Sequence, residues 1–232
     1  MGLRRILKNI QDHKKHNSDY LNISYSQEGE DLILDRIFED RKHGFFVDVG
    51  ALHPQRFSNT YKFYQKGWKG INIDAMPGSM KLFKEIRPLD INLEIPIADH
   101  AGLLDYHIFN EPALNTLSKE IAEAHSQVEG YFIKEVIRLE TSTLKTILDQ
   151  YLPSGQVIDF LTIDAEGLDF QILKSNDWTK YRPNVVLIEN YLTLKKMTGS
   201  EIDSYLTSKG YEMYAKTVNT YFYSRIEEDV LV

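Results

Sequence analysis

Phe45-Phe46-Val47-Asp48-Val49-Gly50-Ala51 is a short apolar run interrupted by a carboxylate and closed by a glycine, and Gly70-Ile71-Asn72-Ile73-Asp74 repeats the theme about one strand-helix-strand unit later. In an open parallel sheet, such strand ends line the crevice where ligands bind. The glycine lets a ligand come close to the backbone, and Asp74 can accept hydrogen bonds from both hydroxyls of a ribose. The pair predicts a nucleoside cofactor site.

Outward from these runs the pattern alternates strand and helix. Upstream, Ser24 to Phe38 reads as a helix with Ser24 and Gln27 as a capping box. Between and after the two runs, helices are predicted over Ser58 to Lys66 and Ser79 to Ile86. Ile91 to Ala98 is a third strand, placed at an edge by Pro96. Gly102 to Phe109 and Ile133 to Leu139 are strand-like, while Thr116 to Ala124 and Ser142 to Tyr151 are helical. Regular alternation returns with strand Phe160 to Asp164, helix Asp169 to Lys174, strand Val185 to Glu189 and helix Glu201 to Lys209. Strands Tyr211 to Thr217 and Thr220 to Arg225 are joined too tightly for a crossover and must be antiparallel.

Nearly continuous apolar strands separated by helices imply an α/β fold: a seven-stranded, mostly parallel, Rossmann-like sheet with helices on both faces and an antiparallel terminal hairpin. The whole chain, 1–232, is expected to form a single domain. Within it, 1–23 is a leader helix and 102–157 an insertion or lid over the sheet.

Composition narrows the chemistry. The 232 residues carry a formal charge of −7, which argues against a nonspecific nucleic-acid binder, since that binding depends on clustered lysine and arginine. With no cysteine, thiolate metal sites and cysteine nucleophiles are excluded. No run approaches the roughly 18 apolar residues of a membrane span, and the start lacks a secretory apolar core, so the expected location is cytoplasmic. Residues 1–16 are basic and amphipathic, which allows weak contact with a membrane surface. The oligomeric state is not legible.

The loop after the first strand contains neither G-x-G-x-x-G nor G-x-x-x-x-G-K-[ST], which disfavours a pyrophosphate ligand. One glycine behind a carboxylate suits a ligand that is cationic at this end, and S-adenosylmethionine has such an end together with a ribose for Asp74. Ala98-Asp99 then falls where an acid can meet an adenine amine. Taken singly, each aspartate is equally a turn residue or helix cap.

Tyr25-Ser26-Gln27-Glu28-Gly29-Glu30-Asp31, the Asp48 and Asp74 strands, Gly67-Trp68-Lys69 and Ile163-Asp164-Ala165-Glu166-Gly167 together resemble the FkbM-type methyltransferases. The resemblance spans roughly 24–190 and implies a class I methyltransferase fold using S-adenosyl-L-methionine. It further implies O-methylation, commonly of sugar hydroxyls in bacterial surface glycans such as capsule or lipopolysaccharide, or of secondary metabolites. Cofactor contacts are implied for Asp48, Gly50, Asp74 and Asp99, with Ala98 and Asp164 beside them and Glu28 approaching from the N-terminal helix. Leu52-His53-Pro54 departs from the family's Asn-x-Gly and puts an imidazole beside the site.

A hydroxyl acceptor needs a base or a metal. His53, Asp164 and Glu166 are the candidate catalytic residues. Asp164, Glu189 and Asn190 end two neighbouring strands and could converge on Mg²⁺ or Mn²⁺, an arrangement similar to catechol-type O-methyltransferases. The expected substrate is a sugar or nucleotide-linked sugar. The alternatives are methylation of a small phosphorylated or amino metabolite, and a noncatalytic nucleoside-binding module.

Overall fold

Five apolar runs become adjacent parallel strands in the computed structural model, which describes residues 21–226. They are β1 (Phe45–Val49), β2 (Lys69–Asp74), β3 (Ile91–Glu94), β6 (Phe160–Ile163) and β7 (Val185–Glu189). A separate antiparallel ribbon is made by β4 (Gly102–Phe109) and β5 (Ile133–Thr141), and β8 (Tyr211–Lys216) and β9 (Thr220–Arg225) form the terminal hairpin. The main sheet runs β3-β2-β1-β6-β7-β9-β8, with β9 antiparallel to both of its neighbours.

Alternation along the strands decides what each face buries. Val47, Val49, Ile71, Ile73, Leu161, Ile163, Val186 and Ile188 face the larger core. Helices α5 (Leu144–Tyr151), α6 (Asp169–Lys174) and α8 (Glu201–Ser208) cover that side with Leu144, Ile172 and Leu206. Phe46, Phe160, Val185 and Leu187 point the other way, toward α1 (Glu30–Ile37) and α2 (Tyr61–Gln65). There Phe63, Trp68 and Phe160 pack with ring centroids 4.9–6.1 Å apart, a geometry that adds to their burial.

On that aromatic face the register row Asp48, Asn72 and Thr162 is polar. Arg87, fully buried just past α3 (Met80–Ile86), supplies the charge this layer needs: it bonds Asp90 through Nε and Thr60 through a terminal nitrogen, and Thr60 Oγ1 donates to Asp48.

The seven-stranded order, both covered faces, the terminal hairpin and the edge position of β3 agree with the sequence reading. Differences lie at element ends. The first helix starts at Glu30 rather than Ser24, because the Asp31 carboxylate accepts hydrogen bonds from Ser24 Oγ, Ser26 Oγ and Tyr25 N and folds the preceding segment back. The third strand stops at Glu94, ahead of Pro96, and Ala98 N bonds Ser142 O instead. A 3₁₀ turn at Pro112–Leu114 and a short helix α7 (Leu194–Met197) were not anticipated. The leader helix of 1–23 falls almost wholly outside the described residues. Among the described residues no helix is long and apolar enough to cross a membrane.

The β4–β5 ribbon stands outside the main sheet, where the insertion was expected. Between its strands lies α4 (Lys119–His125), and Thr116 Oγ1 ties this region to the main body by donating to Glu166 O at 2.6 Å. Gly167, at φ +98, lets α4 sit close: a Cβ there would overlap Ile121.

Candidate functional site

The carboxyl ends of β1, β2 and β6 surround a cavity of about 240 Å³. Val49 and Gly50 form its floor, Asp74 and Ser79 one wall, Ile95 and Ile97 another, and Tyr106 and Asn115 of the ribbon region its roof. Gly50 has φ +86, and a Cβ on it would overlap the Asp164 backbone carbonyl. Its missing side chain therefore serves first to let the ends of β1 and β6 touch, rather than to admit a ligand as the sequence reading had it.

Asp74 accepts hydrogen bonds from Leu52 N at 2.9 Å and Met76 N at 2.8 Å, tying the loops after β1 and β2 together while facing the cavity. Burial pushes its pKa up. Beside it Ser79 lines the same cavity, and its hydroxyl, buried against the Asp74 carboxylate, opposes that rise by hydrogen bonding.

Asp164, Glu166 and Glu189 bring carboxylate oxygens within 4.8 Å of one another at the ends of β6 and β7. Desolvation, reinforced by neighbouring carboxylates, raises Glu166 and Glu189 to about 8 each and drives Asp164 well above the ordinary aspartate range. The loop carrying Asp164 and Glu166 is pinned by Asp169, which accepts from Ala165 N and Gly167 N. Glu189 also accepts from the Tyr191 hydroxyl at 3.1 Å. A second hollow of about 20 Å³, room for a single water-sized group, adjoins the first and is walled by Glu28, Glu30, Asp164, Glu189, Asn59 and Asn219. Among the described residues no lysine, arginine or histidine lines either hollow.

Backbone strain gathers at the same place. Leu52, Phe57 and Glu166 are the non-glycine residues with positive φ among those described, and all three line the larger cavity. Such conformations persist where surrounding structure enforces them, commonly at functional sites.

Several expected site residues are placed elsewhere. His53 Nδ1 accepts from the backbone N–H groups of Gln55 and Arg56, so the nitrogen that would take a proton is already committed, and burial and Arg56 lower its pKa. It caps a turn and does not line the cavity. Asn190 Oδ1 accepts from Leu192 N, and the acidic cluster formed with Asp164 and Glu189 at these strand ends is completed by Glu166. Asp99 is half exposed and bonded to His100, and Ala98 is buried away from the cavity lining. Asp48 lies beneath the floor in the Arg87 layer, raised to about 6 by burial with Arg87 opposing. Glu28 walls the smaller hollow, not the larger cavity, and holds the β8–β9 turn through Asn219 and Thr217.

Of the expected set, the structure thus gathers Gly50, Asp74, Asp164, Glu166 and Glu189. Ser79, Phe57 and Tyr106 went unnoticed. Ser79 had a usable signal, since it lies five residues beyond the Asp74 strand end, at the start of the next helix.

The methyltransferase FkbM domain model matches residues 48–213. The chain belongs to the FkbM methyltransferase family. The match covers every gathered residue of this FkbM protein. No curated protein matches its sequence. Among solved structures, the crystal structure of "a putative RNA methyltransferase PH1948 from Pyrococcus horikoshii" has 10% sequence identity and a TM-score of 0.44, covering 89% of this chain and 92% of that one.

Proposed function

We propose that this FkbM protein is an S-adenosylmethionine-dependent O-methyltransferase whose acceptor is a sugar hydroxyl. The observation that carries the reading is a cavity with Asp74 and Ser79 at one end and the Asp164, Glu166 and Glu189 cluster at the other. The residues present fit the cofactor. Asp74 and Ser79 would hold ribose hydroxyls, Ile95 and Ile97 would flank the base, and the unpaired carboxylates suit a cationic sulfonium. When bound, S-adenosylmethionine supplies an electrophilic methyl group.

The chain's own residues then orient the acceptor, exclude water and take its proton. Glu166 is the base this reading assigns. It lines the cavity, is held in place by its strained backbone and by the Asp169-pinned loop, and titrates near neutrality. Asp164 and Glu189 share the remaining charge of the cluster. The resemblance of its motifs to FkbM-type methyltransferases, which implies methylation of sugar hydroxyls, supports a sugar acceptor. The absence of cationic side chains from both hollows among the described residues favours a sugar presented without a diphosphate at the transfer point.

A second reading, an amine-bearing acceptor, is favoured by the same unpaired carboxylates, which would draw an ammonium group. The test is S-adenosylhomocysteine formation with free sugars, amino sugars and nucleotide sugars, each with and without EDTA. The proposal expects turnover with a hydroxyl acceptor that persists in EDTA and is lost in Glu166→Gln. Turnover with none of them, or with amino compounds at nitrogen, contradicts it.

A further inference from the structure

We propose that the groove at the amino ends of the central strands, opposite the methyltransferase cavity, binds a phosphate-bearing ligand. This groove, about 830 Å³ in volume, is framed by Arg41, Lys42 and His43 of the loop entering β1, Asn184 before β7, and Ser224 and Arg225 at the end of β9. Because β9 is antiparallel, Ser224 lies opposite Val185 at the start of β7, and this brings Arg225 to the same end of the sheet as the β1 entry loop. The cavity of the proposed active site opens at the other end of these strands. A five-residue strand at about 3.3 Å per residue separates the two by roughly 15 Å.

The charges here have no structural employment that accounts for all of them. Arg41 pairs with buried Asp159, whose other oxygen accepts from Phe45 N at 2.7 Å, so that acid is satisfied. Among the described residues, Lys42, His43 and Arg225 form no ion pair and no side-chain hydrogen bond. Among the described residues, Asp40 is the one acid in the groove lining. Gathering cations with so little opposing charge is unfavourable in itself, and it stands out in a chain of net charge −7. Phe38, Ile37 and Val185 supply an apolar floor, with the Arg41 guanidinium 5.9 Å above the Phe38 ring. Cations on the rim and an apolar or planar body below suit a phosphate ester, with Arg225 and Lys42 on the phosphate oxygens.

The inference does not rest on what the methyltransferase cavity binds. Its probes are inorganic pyrophosphate, followed by calorimetry, and phosphatidylcholine vesicles doped with phosphatidic acid, followed by sedimentation. Both are applied to the full chain and to Lys42→Gln/Arg225→Gln, two exposed or half-exposed sites whose loss leaves the core intact. Saturable binding of pyrophosphate assigns a small phosphorylated ligand, and binding of vesicles alone assigns a lipid headgroup. In either case the double variant should bind at least about tenfold more weakly, and added salt should weaken the wild type. The two proteins should give the same far-ultraviolet circular dichroism and the same melting temperature, which shows the variant is folded. The proposal is overturned if neither probe binds the wild type, or if the double variant binds as well as the wild type.

Discussion

Two acidic layers sit within a few residues of each other on this sheet, and only one is electrically finished. Beneath the cavity floor, Asp48 and Asp90 share the fully buried Arg87, and Thr60 and Asn72 take up remaining hydrogen bonds. At the tips of β6 and β7, Asp164, Glu166 and Glu189 face one another, and among the described residues no cation lines either hollow. A protein interior tolerates charge when it is paired, so the first layer is architecture and the second is waiting for a partner. The contrast also separates Asp48 from Asp74: the first sits inside β1 and the second ends β2, and only the second lines the cavity.

Removing the charge that finishes the first layer gives the largest expected effect. Arg87→Met strands two buried carboxylates and should cost about 3–5 kcal/mol in denaturant unfolding. A loss under about 1 kcal/mol would erase the distinction between the layers. Next, Glu166→Gln should slow methyl transfer by roughly a hundredfold or more while leaving cofactor affinity within a few-fold. An equal fall in both would make Glu166 a binding group.

Raised carboxylates in both layers should make ligand-free stability fall as pH rises, over a higher window in the second layer than in the first, where Asp48 is raised to about 6. With Glu166 and Glu189 raised to about 8 from an unfolded value near 4.5, the folded protein binds more protons than the unfolded chain between these pH values. Their contribution is therefore fully present below about pH 4.5 and is lost as pH rises toward 8, so ligand-free stability should fall across that window. Glu166→Gln should flatten the fall and stabilise the ligand-free protein at pH 8 by on the order of 1 kcal/mol. Melting curves across pH for both proteins check this, and a wild type that grows more stable toward pH 8 would refute it. The smallest effect is expected at Thr116→Val, which removes the ribbon's hydrogen bond to Glu166 O and should cost about 1 kcal/mol, read by unfolding.

The sheet was legible because its strands carry apolar runs long enough to be buried on both faces, and because the run Thr220 to Arg225 follows too closely on its neighbour to cross over. Asp74, Asp164 and Glu189 were legible as acids ending such runs. His53 and Asn190 were not, because each gives its acceptor atom to a backbone N–H two residues on, a local choice that strand-end spacing does not reveal. Glu166 joins the cluster through a left-handed turn that pattern reading does not see. The counter-charge for Asp48 was hidden as well, since Arg87 comes from the end of a helix 39 positions further along the chain and reads in sequence as a surface cation.

The most direct measurement is calorimetric titration of the protein with S-adenosylmethionine and S-adenosylhomocysteine. The unfinished acidic layer predicts saturable binding of both, weakened about tenfold or more by Asp74→Asn. No binding of either compound to the wild type, or unchanged affinity in Asp74→Asn, would contradict the account.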